Sequence, residues 1–212
     1  MDPLSAGLGA AGFVLGLAAD RFATRWPDHD EEHPPGRAVD WRTAVSAIVG
    51  AVAFGLLPGR FGGDPLALVV FGAWFATLIV GLATDLDQRL LPDLLTLPVI
   101  PVALIYALSG TNPLVGPEIV LAVVAALAIP AVLYLPSIPF GAGAFGLGDV
   151  KLLVGVGLLV GGSRALSSVV FALVLSGVVL LVLLAARRIG RRSYVPFGPF
   201  FILGALWAVL VR

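Results

Sequence analysis

An aspartate that follows an apolar run with no polar buffer is costly to keep there, so it marks a site that does something. Asp85 is such a residue. It ends the run Leu78-Ile79-Val80-Gly81-Leu82-Ala83-Thr84. Asp149 is a second one, inside Gly146-Leu147-Gly148-Asp149-Val150-Lys151, where two glycines let another backbone or helix end approach closely. Two carboxylates brought together cannot both ionise easily, so they share a proton. One then accepts a proton from water while the other protonates a scissile carbonyl or a leaving group. A structural alternative stands beside this for Asp149, because Asp is a favoured N-cap and a helix follows. Three more acids lie near segment ends. Asp87 and Asp93 read as loop residues, with Asp93 after Pro92 capping a helix that Pro98 and Pro101 should kink. Glu118 reads as a helix N-terminal carboxylate on the opposite side.

The elements that must position these groups are apolar helices. Of the residues, 59% are hydrophobic and 12% charged, against roughly 25% charged in a soluble domain. The expectation is an all-α polytopic membrane protein with about eight transmembrane helices and no large soluble domain. The apolar segments are 4–19, 44–57, 66–84, 94–108, 119–135, 150–160, 165–186 and 199–211. The second and sixth are short for a bilayer crossing. The first lacks the basic start of a cleavable signal peptide. Eight spans put Arg21, Arg25, Arg37, Arg42, Arg89, Lys151, Arg187, Arg188, Arg191 and Arg192 on one side. Only Arg60, Arg164 and Arg212 fall on the other. The positive-inside rule makes the richer side cytoplasmic, with both termini outside and Asp85, Asp87, Asp93 and Asp149 at the cytoplasmic face. The 13 Lys+Arg balance 13 Asp+Glu, so nothing points to a nucleic-acid partner. There is no Cys, which excludes a disulfide scaffold and a thiolate metal site. The polar stretch 20–43 contains the acidic run 28–33, read as a solvated loop without metal-ligand spacing.

Four stretches resemble the prepilin peptidase family, the GxGD membrane aspartic peptidases that process type IV prepilins and pseudopilins. Thr84-Asp85-Leu86-Asp87-Gln88-Arg89-Leu90-Leu91-Pro92-Asp93 is similar to the family's Ile-Asp, five variable residues, then hydrophobic-Pro-Asp. Gly146-Leu147-Gly148-Asp149-Val150-Lys151 matches its Gly-x-Gly-Asp-x-Lys. Tyr194-Val195-Pro196-Phe197-Gly198-Pro199-Phe200 is similar to its Ile-Pro-Phe-Gly-Pro-Phe. Gly12 and Gly16 keep its N-terminal Gly-x-x-x-Gly spacing, and Arg25-Trp26-Pro27 resembles the Arg-x-Pro that ends that segment.

The resemblance implies an aspartic endopeptidase with Asp85 and Asp149 as the catalytic pair. Gly146, Gly148, Lys151, Pro196, Phe197, Gly198 and Pro199 would support the site. Its substrate would carry a short basic leader in the cytoplasm and a hydrophobic helix in the lipid bilayer. Asp87, Asp93 and the acids of 28–32 are candidates to attract that leader. Proteolysis would need no cofactor and no metal. S-adenosylmethionine would enter only with the N-methyltransferase activity of bifunctional members. The chain departs from the family in its N-terminal region. The first loop is short and lacks the zinc-binding Cys pairs, the usual Ser-Phe is Leu17-Ala18, and the usual Asn is Asp20. The chain thus divides into residues 1–43, the first span and loop, and 44–212, the peptidase core. Two competing readings are a presenilin or signal-peptide-peptidase type protease, which shares only the GxGD element, and a proton-relaying transporter.

Overall fold

The computed structural model describes residues 2–29, 34–140, 145–188 and 196–211. Among these the chain is helical, with no strand: α1 (Pro3–Ala23), α2 (Trp41–Phe61), α3 (Pro65–Gln88), α4 (Asp93–Thr96), α5 (Val99–Leu108), α6 (Ile119–Tyr134), α7 (Leu147–Val160), α8 (Gly162–Ala185) and α9 (Gly198–Leu210). The starts follow local chemistry. Asp2-Pro3 and Asp64-Pro65 each place an acceptor at the N-cap and a proline in the first turn. Asp2 accepts from the Ser5 N–H and Asp64 from the Ala67 N–H at 3.0 Å. Asp40 opens α2 in a capping box with Thr43.

All eight apolar segments are helical, but they are not equal spans. Five helices are long and apolar enough to cross a membrane alone: α1, α2, α3, α8 and α6 with its continuation to Ile138. The second segment is no short span. It gains Trp41–Thr43 and Pro58–Phe61 and reaches 21 residues. The fourth is broken before Pro98 into α4 and α5, and α7 and α9 remain at 14 and 13 residues. Burial gives the reason. From Leu152 onward nearly every α7 side chain is buried, as are most of those of α9. These helices are enclosed by protein, so they need not match the hydrocarbon thickness that the outer helices meet. The outer helices instead show lipid-type faces, with Val120, Leu127, Val132, Leu181 and Val182 exposed.

α1 and α2 lie in backbone contact. A Cβ on Gly16 would sit 2.2 Å from the Ser46 carbonyl oxygen, and one on Gly12 equally close to that of Gly50. This is the small-residue packing that membrane helices use where apolar burial offers no drive. α3 runs against α1, α2 and α9, and α7 is held among α5, α6, α8 and α9. The core that joins them is built from Phe71, Phe75, Ile79, Leu82, Leu153, Val156, Phe201 and Ile202.

Candidate active site

Asp85 lies in the last turn of α3, buried, and Asp149 in the first turn of α7. More than sixty residues separate them in the chain. They nevertheless line one cleft of about 360 Å³, together with Arg89, Leu90, Leu91, Asp93, Gly146, Leu147, Gly148 and Lys151. Packing brings them together: the C-terminal end of α3 meets the N-terminal end of α9, and the turn after α3 meets the N-terminal end of α7.

The two carboxylates have different local chemistry. Asp149 is not the N-cap of α7. That position is Gly146, and Asp149 stands three residues later with its carboxylate accepting from the Gly146 N–H at 3.4 Å. Its remaining acceptor capacity faces the cleft. Asp85 Oδ2 is buried and has no hydrogen-bond partner. A buried carboxylate oxygen without a donor is expensive unless it holds a proton or meets one from a ligand. That is the state a proton-sharing pair requires.

The glycines explain themselves by contact. A Cβ on Gly198 would fall 2.7 Å from Asp85 Oδ2 and 2.8 Å from its Cγ. The α9 backbone is therefore the wall against which the Asp85 carboxylate rests. A Cβ on Gly148 would fall 2.9 Å from the Leu91 Cβ and 3.1 Å from the Leu91 carbonyl oxygen, so α7 starts in contact with the turn after α3. Pro199 is buried in the first turn of α9, and Phe197 packs on Phe201, which Phe145 meets edge-on. Pro196 precedes them, and Tyr194 and Val195 lie outside the described residues. Lys151 bonds Asp93 Oδ1 at 2.5 Å, joining α7 to α4 across the cleft.

Asp87 and Asp93 are not loop residues. Asp93 is the first residue of α4, whose cap position is Pro92, and makes no cap bond. Asp93 is exposed and lines the cleft. Asp87 is in α3 and buried. It is already paired: Oδ1 accepts from Arg37 Nε at 2.7 Å and Arg42 Nη1 at 3.3 Å, and Oδ2 meets His29 Nε2 at 3.3 Å. A carboxylate paired with two arginines and buried has little charge left to offer a basic leader. Asp28 is exposed, and residues 30–33 of the acidic run lie outside the described residues.

The sequence reading passed over this ion network. Asp20, fully buried at the end of α1, accepts from Arg37 Nη2 at 2.6 Å, from Thr43 Oγ1 at 2.7 Å and from Arg21. The signal was there, since Asp20 follows an apolar run just as Asp85 does. No group of three metal-ligating side chains occurs among the described residues.

Comparison with known proteins agrees in one direction. Residues 75–185 match the type IV leader peptidase family. The chain is 34% identical over 176 residues to a prepilin leader peptidase/N-methyltransferase of Burkholderia pseudomallei, covering 80% of this chain and 56% of that protein. It is 30% identical over 180 residues to one of Dickeya chrysanthemi (84% and 63%) and 31% over 177 residues to one of Aeromonas hydrophila (81% and 57%). The chain thus spans little more than half the length of these relatives. No solved structure matches it.

Proposed function

The chain belongs to the type IV leader peptidase family, and we propose that it is an aspartic endopeptidase that removes the short basic leader from type IV prepilin-like or pseudopilin substrates. It works in the cytoplasmic membrane, with the cleft at the cytoplasmic face. The observation that carries the reading is the partnerless, buried oxygen of Asp85 in the same cleft as Asp149. Water attacks the scissile carbonyl carbon, losing a proton to the ionised carboxylate, while the protonated one gives its proton to the carbonyl oxygen. The tetrahedral gem-diol collapses as the C–N bond breaks: the departing nitrogen takes a proton from one carboxyl while a gem-diol hydroxyl gives one to the other carboxylate, so the dyad ends with the single proton it began with. The products are the leader carboxylate and a new N-terminal amine. Asp93, exposed at the rim of the cleft but bridged to Lys151, would meet a leader cation by exchanging that partner.

The relatives' names also contain an N-methyltransferase. Both Asp20 oxygens and both Asp87 oxygens are occupied by Arg21, Arg37, Arg42, Thr43 and His29. They have little capacity left for the amine or ribose of S-adenosylmethionine. The proposed activity is therefore cleavage without methylation by this region. The test of the main reading is co-expression with a candidate prepilin, wild type against Asp149→Asn. A leader-sized mobility shift in the first and none in the second supports it, and equal processing in both refutes it.

A further inference from the structure

Asp85 has no side-chain hydrogen bond that could orient it through Oδ2, so its aim depends on the main chain that carries it. That main chain is a helix end, the part of a helix that frays most readily. Successive residues of a helix turn by about 100°, so Asp85 and Asp87 point to nearly opposite sides of α3. The contacts agree. Asp85 rests on Gly198 of α9, whereas Asp87 reaches Arg37, Arg42 and His29 on the α1–α2 side. The next residue, Gln88, points its amide to the same region and donates to the carbonyls of Ala23 at 3.2 Å and Pro27 at 3.3 Å. Arg37 binds Asp20 of α1 and Asp87 of α3 with one guanidinium. Beyond Gln88 the helix closes on Arg89, a non-glycine residue at φ 58°, whose N–H donates to the Asp85 carbonyl at 2.9 Å. A left-handed arginine is an unfavoured conformer and persists where its surroundings hold it.

We propose that Asp87 and Gln88 are positioning residues for the proteolytic site: with Arg37, Arg42, His29 and Asp20 they tether the last turn of α3 to α1 and the first loop, and so fix where Asp85 and Arg89 face the cleft. The tether crosses the boundary between residues 1–43 and the remainder, so the N-terminal region acts on the reaction without touching substrate. The inference rests on the proposed peptidase reading for its activity arm only. A misplacement of about 1 Å at a reacting group costs on the order of a hundred-fold in rate, so a loosened turn should be read in turnover before it is read in folding.

The chain has no cysteine of its own, which allows a clean local probe. Leu90 is exposed and lines the cleft just beyond the tethered turn. In membranes, Leu90→Cys is labelled with a water-soluble maleimide, alone and combined with Asp87→Asn or Gln88→Ala. The second variant removes the strap to Ala23 and Pro27 without leaving buried cations unpaired. The tether predicts labelling at least about three-fold faster in both combinations. In otherwise native protein, the same two changes should lower turnover of a prepilin by about ten-fold or more. KM and the yield of folded protein should stay within about three-fold. Unchanged labelling in both variants overturns the tether whether or not the protein cleaves anything. So does turnover that stays at the wild-type level in both, or a loss confined to yield. A wild type that cleaves no prepilin refutes the peptidase reading instead, and the labelling arm still decides the tether.

Discussion

Gly198→Ala is the smallest change that reaches the proposed chemistry without altering any titratable group. The added methyl carbon would stand 2.7 Å from Asp85 Oδ2, where ordinary contact begins at 3.4 Å. Either α9 or the carboxylate must yield by about 0.7 Å. α9 is the stiffer partner, because Pro199, Phe201, Ile202, Ala205 and Val209 are all buried in the core. The carboxylate has no bond on Oδ2 to resist, so it is Asp85 that moves. Overpacking of this kind costs roughly 1–3 kcal/mol in stability. A shift approaching 1 Å at a reacting group costs on the order of a hundred-fold in rate. Cleavage should therefore fall by between about ten- and a hundred-fold while the folded yield falls far less. The assay is leader removal from a co-expressed prepilin, with membrane-inserted protein quantified on the same gel. Processing within about three-fold of wild type would refute the claim that the α9 backbone sets the Asp85 position, and equal loss of cleavage and yield would reduce Gly198 to a packing residue.

Asp85→Asn and Asp149→Asn should each abolish cleavage and leave the helical content in circular dichroism unchanged, and near-wild-type processing by either would break the dyad. A dyad that shares one proton works only while it holds one proton, so the rate should fall as pH rises and that proton is lost, and fall again in acid once both carboxyls are protonated and no base is left; a flat profile to strongly alkaline pH would count against it. Gly16→Ile should prevent accumulation of folded protein, because its Cβ has 2.2 Å to the Ser46 carbonyl oxygen on a neighbouring backbone; normal accumulation would contradict the α1–α2 contact. Mass spectrometry of the processed pilin after co-expression with this protein as sole peptidase should find an unmethylated N-terminus, and a gain of one methyl group would overturn the proposed loss of that activity.

What could be read from the sequence followed from how far each signal extends along the chain. The apolar segments are continuous, so all eight emerged, and their one-sided charge put the ends of α1, α3 and α8 and the starts of α2, α7 and α9 on a common side. Asp85 and Asp149 stood out because each interrupts or opens such a segment. Segment length misled where helices are enclosed, since α7 and α9 meet protein rather than lipid and hydropathy alone does not distinguish the two. The cap reading of Asp149 stood only as the structural alternative, and the structure puts Gly146 at that position with the Asp149 carboxylate reaching back to it from the third residue.

The ion network escaped for a different physical reason. Its members are polar residues scattered over 20–43 and 87–88, and in a linear reading each is an ordinary loop charge. Only the closure of α1 and α2 onto α3 turns Arg37 into a bridge with 17% of its side chain exposed, between Asp20 at 0% and Asp87 at 5%. Acid and base counts could not announce it, because 13 Lys+Arg balance 13 Asp+Glu over the whole chain whichever of them pair. One local cue did exist. Asp20 follows Leu17-Ala18-Ala19, and an aspartate in that position must find donors wherever the chain folds. Applied to Asp20, the argument that singled out Asp85 leads to the opposite outcome. Asp20 gets its donors from Arg21, Arg37 and Thr43 and becomes structural. Asp85 is left without one on Oδ2 and faces the cleft. The contrast between a satisfied and an unsatisfied buried carboxylate, on adjoining helix ends, is what separates the group that holds the site from the group proposed to do its chemistry.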